Sequence, residues 1–133
     1  MAKENFGSVQ TFKAAADYSD YQYCPVYMSA ADTITITGAG GIVDGILLNK
    51  PNAAGRPAEV LTASGCFCKL KVATGVSIDD VLEADASSRG VTVAITAPGT
   101  TVSYSIGRAN EASTEANQLI TVLTNFVPIS TGT

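Results

Sequence analysis

Thr33-Ile34-Thr35-Ile36-Thr37 alternates without a break, isoleucines to one side and threonines to the other. A period of two is the period of an extended strand, whose successive side chains point to opposite faces. Cys66 to Val72, Val91 to Thr96 and Val102 to Ile106 alternate in the same way. Ile42 to Leu48, Ala58 to Thr62 and Val81 to Ala84 read as further short strands, and the β-branched residues of Thr33 to Thr37 suit a pleated surface. Turn residues separate them: Gly38-Ala39-Gly40-Gly41, the loop Asn49 to Pro57, Ser64-Gly65, Gly75 to Asp80, Asp85 to Gly90 and Pro98-Gly99. Many short strands punctuated by turns predict a mainly β fold, a small β-barrel or sandwich. Closure into a barrel removes the open edges that invite aggregation.

The first 32 residues read differently. Ser8 to Asp17 is Ala-rich toward its end and suggests a short helix, and Tyr18, Tyr21, Tyr23 and Tyr27 then cluster around Cys24-Pro25. Tyrosine suits places where one end of a side chain is buried and the other wet, as at interfaces. The expectation is an extended or partly helical N-terminal arm over 1–32, a β-barrel domain over 33–127 and a flexible tail over 128–133. An arm that merely packs on its own domain is the plainer alternative. Leu119-Ile120-Thr121-Val122-Leu123 is apolar on both faces, which predicts a central strand or one covered by another subunit. No domain boundary is expected after residue 33, and no repeat period stands out.

Charge limits the partners. Only 15% of the 133 residues are charged, against roughly a quarter in an ordinary soluble domain, and the net charge is -4. A sparsely charged surface fits either a face covered by other subunits or a Thr/Ser-rich β domain. Eight Lys and Arg residues form no block, so the basic footprint that phosphate neutralisation needs is missing. The same balance argues against docking on an anionic membrane. No apolar run nears the ~20 residues of a membrane span. Met1 to Phe6 has no apolar stretch of a secretory signal, so the expectation is a protein that stays in the cytoplasm where it is made. Cys24, Cys66 and Cys68 make an odd count, which argues for free thiols.

Chemistry-bearing patterns are weak. There is no histidine, which removes the commonest general base and metal ligand. Cys66-x-Cys68 has the wrong spacing for zinc, and alternation puts both sulfurs beside Leu70 and Val72, as core packing would. Gly38-Ala39-Gly40-Gly41 leads into a strand, not into the helix of a phosphate loop, and reads as a hinge or bulge. Asp79, Asp80, Glu83 and Asp85 lack the convergent oxygens of a calcium loop and read as a solvated turn. Lys69 and Lys71 flank Phe67 on one strand face; net acidity favours a solvated or intersubunit face over a nucleic-acid platform. No catalytic, metal or cofactor-binding residue is expected, and no enzyme.

At Gly45-Ile46-Leu47-Leu48-Asn49-Lys50-Pro51-Asn52-Ala53-Ala54-Gly55-Arg56-Pro57-Ala58-Glu59-Val60 the chain resembles the small capsid decoration, or cement, proteins of tailed bacteriophages. Gly65 to Val72, Gly107-Arg108-Ala109 and Leu119 to Leu123 continue the likeness in order, over roughly residues 41 to 126. The resemblance implies a barrel-like domain, often a homotrimer, bound to the major capsid protein on the outer surface of the mature head, which it stabilises without catalysis. On that reading Phe6, Phe12, Tyr18, Tyr21 and Tyr23 are the candidate capsid contacts. Leu119, Ile120, Val122 and Leu123 are the candidate subunit interface. The location would be the virion, after assembly in the host cytoplasm, with no nucleic-acid or membrane partner. A ligand- or carbohydrate-binding β module of a fibre or adhesin is the competing reading, although the chain has none of the tryptophan that sugar platforms usually use.

Overall fold

The computed structural model describes residues 7–93 and 102–130, and among them all regular structure is strand. In chain order the strands are β1 (Val9–Ala14), β2 (Pro25–Ala30), β3 (Thr33–Ile36), β4 (Gly45–Leu47), β5 (Pro57–Leu61), β6 (Phe67–Val72), β7 (Val81–Ala84), β8 (Gly90–Thr92), β9 (Val102–Tyr104), β10 (Gly107–Ala109), β11 (Gln118–Thr124) and β12 (Pro128–Ser130). The mainly β expectation holds, but the chain forms two closed five-stranded barrels instead of one. The first runs β1-β3-β2-β4-β5 and the second β10-β11-β6-β8-β7, with β9 and β12 paired as a separate ribbon.

The N-terminal third belongs to the first barrel. β1 is a strand where a helix was expected, paired with β5 from Val9↔Leu61 to Lys13↔Pro57 and with β3 at Lys13↔Thr33 and Ala14↔Ile34. Val9-Gln10-Thr11-Phe12 alternates, and a strand satisfies its backbone groups on two sides while closing the barrel. That tertiary gain overrides the weak helical preference of Ala14-Ala15-Ala16. The described part of the expected arm is therefore structural framework. The C-terminal segment differs too: Pro128–Ser130 pairs with Val102–Tyr104, where a flexible tail was expected. The Pro98-Gly99 turn and the end of the Val91–Thr96 run lie outside the described residues.

Each barrel has its own core. Ala14, Tyr18, Val26, Ile34, Leu47, Ala58 and Val60 fill the first, with Phe12, Tyr21 and Ile36 half-buried against them. Leu70, Val72, Leu82, Ala109, Ile120 and Val122 belong to the second, and this cluster also takes in Val43 and Ile46 from the first barrel. Alternation explains the exception. Leu47 faces the first core, so its neighbour Ile46 faces outward, where the second barrel covers it completely. Burying one such side chain contributes roughly 2 kcal/mol.

The two barrels are copies of one design. In both, the first and third strands pair in parallel and every other pair is antiparallel. The registers agree residue by residue: Val9↔Leu61 corresponds to Phe67↔Leu123, Val26↔Gly45 to Leu82↔Gly107, and Ala14↔Ile34 to Val72↔Gly90. Turn bonds repeat as well: the Asp44 amide donates to Val26 O as Ile106 does to Leu82 O, and Leu47 to Cys24 O as Ala109 does to Asp80 O. Left-handed residues recur at matching places, Tyr23 with Asp79, Asp32 with Ser88 and Gly55 with Asn117. No fixed period exists because the offset changes: 58 residues from Val9 to Phe67, 56 from Val26 to Leu82 and 62 from Gly45 to Gly107. The last step reflects the longer β8–β10 connection, which carries β9.

Candidate interaction surface

Directly paired residues share one face of a sheet. On the outer face of the second barrel, Val81, Arg108, Leu123 and Phe67 are consecutive partners across β7, β10, β11 and β6. Phe67 is 67% exposed and Leu123 38%, with Ile78 also largely exposed. Arg108 pairs with Asp79 at 3.2 Å, both on the surface. This ion pair lies at a shallow pocket of about 110 Å³ whose wall includes Phe67 and Leu123. The surface is thus an apolar row with one ion pair in it.

The corresponding row of the first barrel is Pro25, Ile46, Leu61 and Val9. Here Pro25, Ile46 and Leu61 are buried, and only Val9, at the end of the row, is exposed. The second barrel sits at this row. Polar bonds frame the junction: the Lys71 amide donates to Tyr23 O (2.9 Å), the Gly40 amide to Ala84 O (2.9 Å) and Ser88 Oγ to Thr37 O (2.7 Å). Lys71 Nζ donates to Asp20 O (2.9 Å), and Lys69 Nζ stands 6.0 Å from the centre of the Tyr23 ring. A groove of about 320 Å³ runs along the junction, lined by Asp20, Tyr23, Lys50, Lys71, Asn117 and Leu119.

The residues expected to meet partners are thereby sorted. Tyr18 lies in the first core, edge-on to Tyr21 at 5.9 Å, and Phe12 and Tyr21 pack half-buried on that core. Tyr18 is corrected from a docking residue to a core residue, because its ring packs inside the first barrel with Val26, Ile34, Leu47 and Val60. Tyr23 faces the second barrel. Phe6 lies outside the described residues. Of the expected subunit interface, Ile120 and Val122 are fully buried in the second core and are withdrawn from it, because alternation along β11 turns them inward. Leu119 and Leu123, on the opposite face, are exposed. Sequence reasoning read the face of Phe67 as solvated or intersubunit but did not join it to Leu123, and it missed Val81 and Arg108, since only strand pairing reveals which residues share a row.

The polar clusters serve the fold. Asp80 accepts from the Ser77 amide and Thr92 Oγ1, and Asp85 accepts from the Ser87 and Arg89 amides and pairs with the Arg89 guanidinium. Among the described residues no three acidic or thiol groups converge as metal ligands. The three cysteines are free thiols. Burial pushes the Cys24 thiol up to about 11, with Lys71 pulling weakly the other way, and burial raises Cys68 too. Hydrogen bonds from Ser19 and from Thr121 hold the exposed carboxyls of Asp17 and Glu111 below their ordinary values.

No protein family matches this chain, and no curated protein matches it.

Proposed function

We propose that this chain is a capsid decoration protein of a tailed bacteriophage, acting by adhesion to the major capsid protein and to its own copies, as a homotrimer on the outer surface of the mature head. The observation that carries the reading is the exposed row Val81, Arg108, Leu123 and Phe67 on a barrel whose twin buries the matching row. An apolar row on a rigid sheet face suits a flat protein partner, and such patches mark interaction sites. The sequence likeness at Gly45–Val60 supplies the capsid, and the low charge fits a surface covered on assembly. Several weak contacts per trimer then add up through effective concentration.

The test is co-sedimentation of the full chain with expanded, emptied heads of the phage whose genome carries its gene, followed by heating of the bound heads. Saturable binding with a raised disruption temperature is expected. Chain left in the supernatant at all ratios would refute the proposal.

A further inference from the structure

The internal duplication defines both halves of an interface, and one half of each kind is left open. Within the chain, the first barrel presents a donor face, the row Pro25, Ile46 and Leu61 with Tyr23 beside it. On its acceptor side, the second barrel meets the first with Ile46 packed on its core cluster, with Lys69 and Lys71 of β6 against Tyr23 and Asp20, and with Ala84 and Ser88 of the β7–β8 hairpin bonded to Gly40 and Thr37 of the β3–β4 connection. The matching donor face on the second barrel is Val81, Arg108 and Leu123, with Asp79 in the place of Tyr23, and it is exposed. The matching acceptor side on the first barrel is β1 and the β2–β3 hairpin, with Thr11, Lys13, Met28 and Asp32 at the equivalent places. It too is open: Met28 is 54% exposed, and a groove of about 290 Å³ runs between Phe12, Lys13, Asp32, Gly55 and Pro57.

We propose that the chain associates head to tail, the donor face of the second barrel of one copy seating on the acceptor side of the first barrel of the next. The occupant of each open half is thus a second copy of this chain, because the fold already shows the two surface types fitting together. Charge agrees. Where Tyr23 meets Lys69 and Lys71 inside the chain, Asp79 would meet Lys13 between chains. Two elements are not repeated: the Lys13 amide already donates to Asp32 O at 2.7 Å, so the main-chain bond made by Lys71 has no counterpart, and the β3–β4 connection that supplies Thr37 and Gly40 corresponds to the longer β8–β10 connection, of which residues 94–101 lie outside the described residues. Contact between copies runs through side chains. The association is heterologous, giving a ring if its rotation closes and an open string otherwise. This deepens the self-association half of the proposed function and needs nothing of the capsid half.

The decisive experiment pairs two surface variants in sedimentation velocity. Val81→Asp with Leu123→Asp removes the donor face; Lys13→Glu with Met28→Asp removes the acceptor side. The unaltered chain is expected to grow in mass from about 1 to 100 µM, the range of weak association. Each variant, with its strand circular dichroism intact, is expected to stay monomeric, and an equimolar mixture is expected to form dimers and nothing larger. The single substitutions Leu123→Asp and Lys13→Glu, both at exposed sites, replace any double variant that does not fold. Monomeric unaltered chain throughout, variants that assemble as before, or a mixture that stays monomeric would overturn the inference. A monomer that still binds phage heads would sink this inference and the self-association half of the proposed function, leaving the capsid half; an oligomer that ignores them would sink only the capsid reading.

Discussion

Gly45 and Gly107 stand at the same point of their barrels, and both are fixed by close approach. A Cβ at Gly45 would overlap the Leu61 carbonyl oxygen, and one at Gly107 the Leu123 carbonyl oxygen. Replacing either by alanine is expected to cost about 1–3 kcal/mol, the usual cost of overpacking, read as a lowered urea midpoint with an unchanged slope. Cys24 sets a pH dependence. The folded chain holds its proton up to about 11, whereas the unfolded chain releases it near 9.0. Between these values the unfolded state binds fewer protons, so stability falls as pH rises from about 9 to 11 and is untouched below. Urea titrations across that window should show a shallower fall for Cys24→Ala than for the unaltered chain; parallel falls would exclude Cys24 as the source.

At the scale of elements, β4 and β10 show how one position takes two environments. Ile46 and Arg108 occupy equivalent places, yet Ile46 is sealed under the second barrel and Arg108 is on the surface. Ile46→Ala is therefore expected to cost about 2–5 kcal/mol by leaving a cavity at the junction. Arg108→Ala should change stability by less than about 0.5 kcal/mol, as surface ion pairs contribute little. Comparable losses at the two sites, measured by urea unfolding, would contradict the junction described above. Much of this level was legible in advance. Val81–Ala84 reads as a strand from its residues, and Pro57–Leu61 and Phe67–Val72 fall within a residue of the strands read there. β1 was not legible, because its Ala-rich end carries a helical preference that only pairing with β5 overrules. The inward turn of Ile120 and Val122 was equally hidden, since Leu119 to Leu123 is apolar at four of its five positions and alternation has nothing to act on.

For the whole molecule, the shared cluster around Val43 and Ile46 ties the two barrels into one cooperative body. Unfolding is expected in a single transition, with tyrosine fluorescence and strand circular dichroism giving the same urea midpoint. Four of the five tyrosines lie at or before Tyr27, so fluorescence weights the first barrel and dichroism reports both. Separate midpoints would mean that the barrels unfold independently. Under the head-to-tail proposal, the same body would offer its donor face to one copy and its acceptor side to the next.

By itself the sequence determined strand character, turn positions, the missing histidine chemistry and the lack of a basic footprint, because each depends on local residue type and spacing. It also held a trace of the duplication: Gly45 and Gly107 are each followed fifteen residues later by Val-Leu-Thr, at Val60 and Val122. Tertiary structure alone decided that there are two barrels, that Ile46 is covered while Arg108 is not, and that Phe67, Leu123 and Val81 form one row. Those outcomes rest on register between distant strands, and register depends on which faces find a partner to bury them.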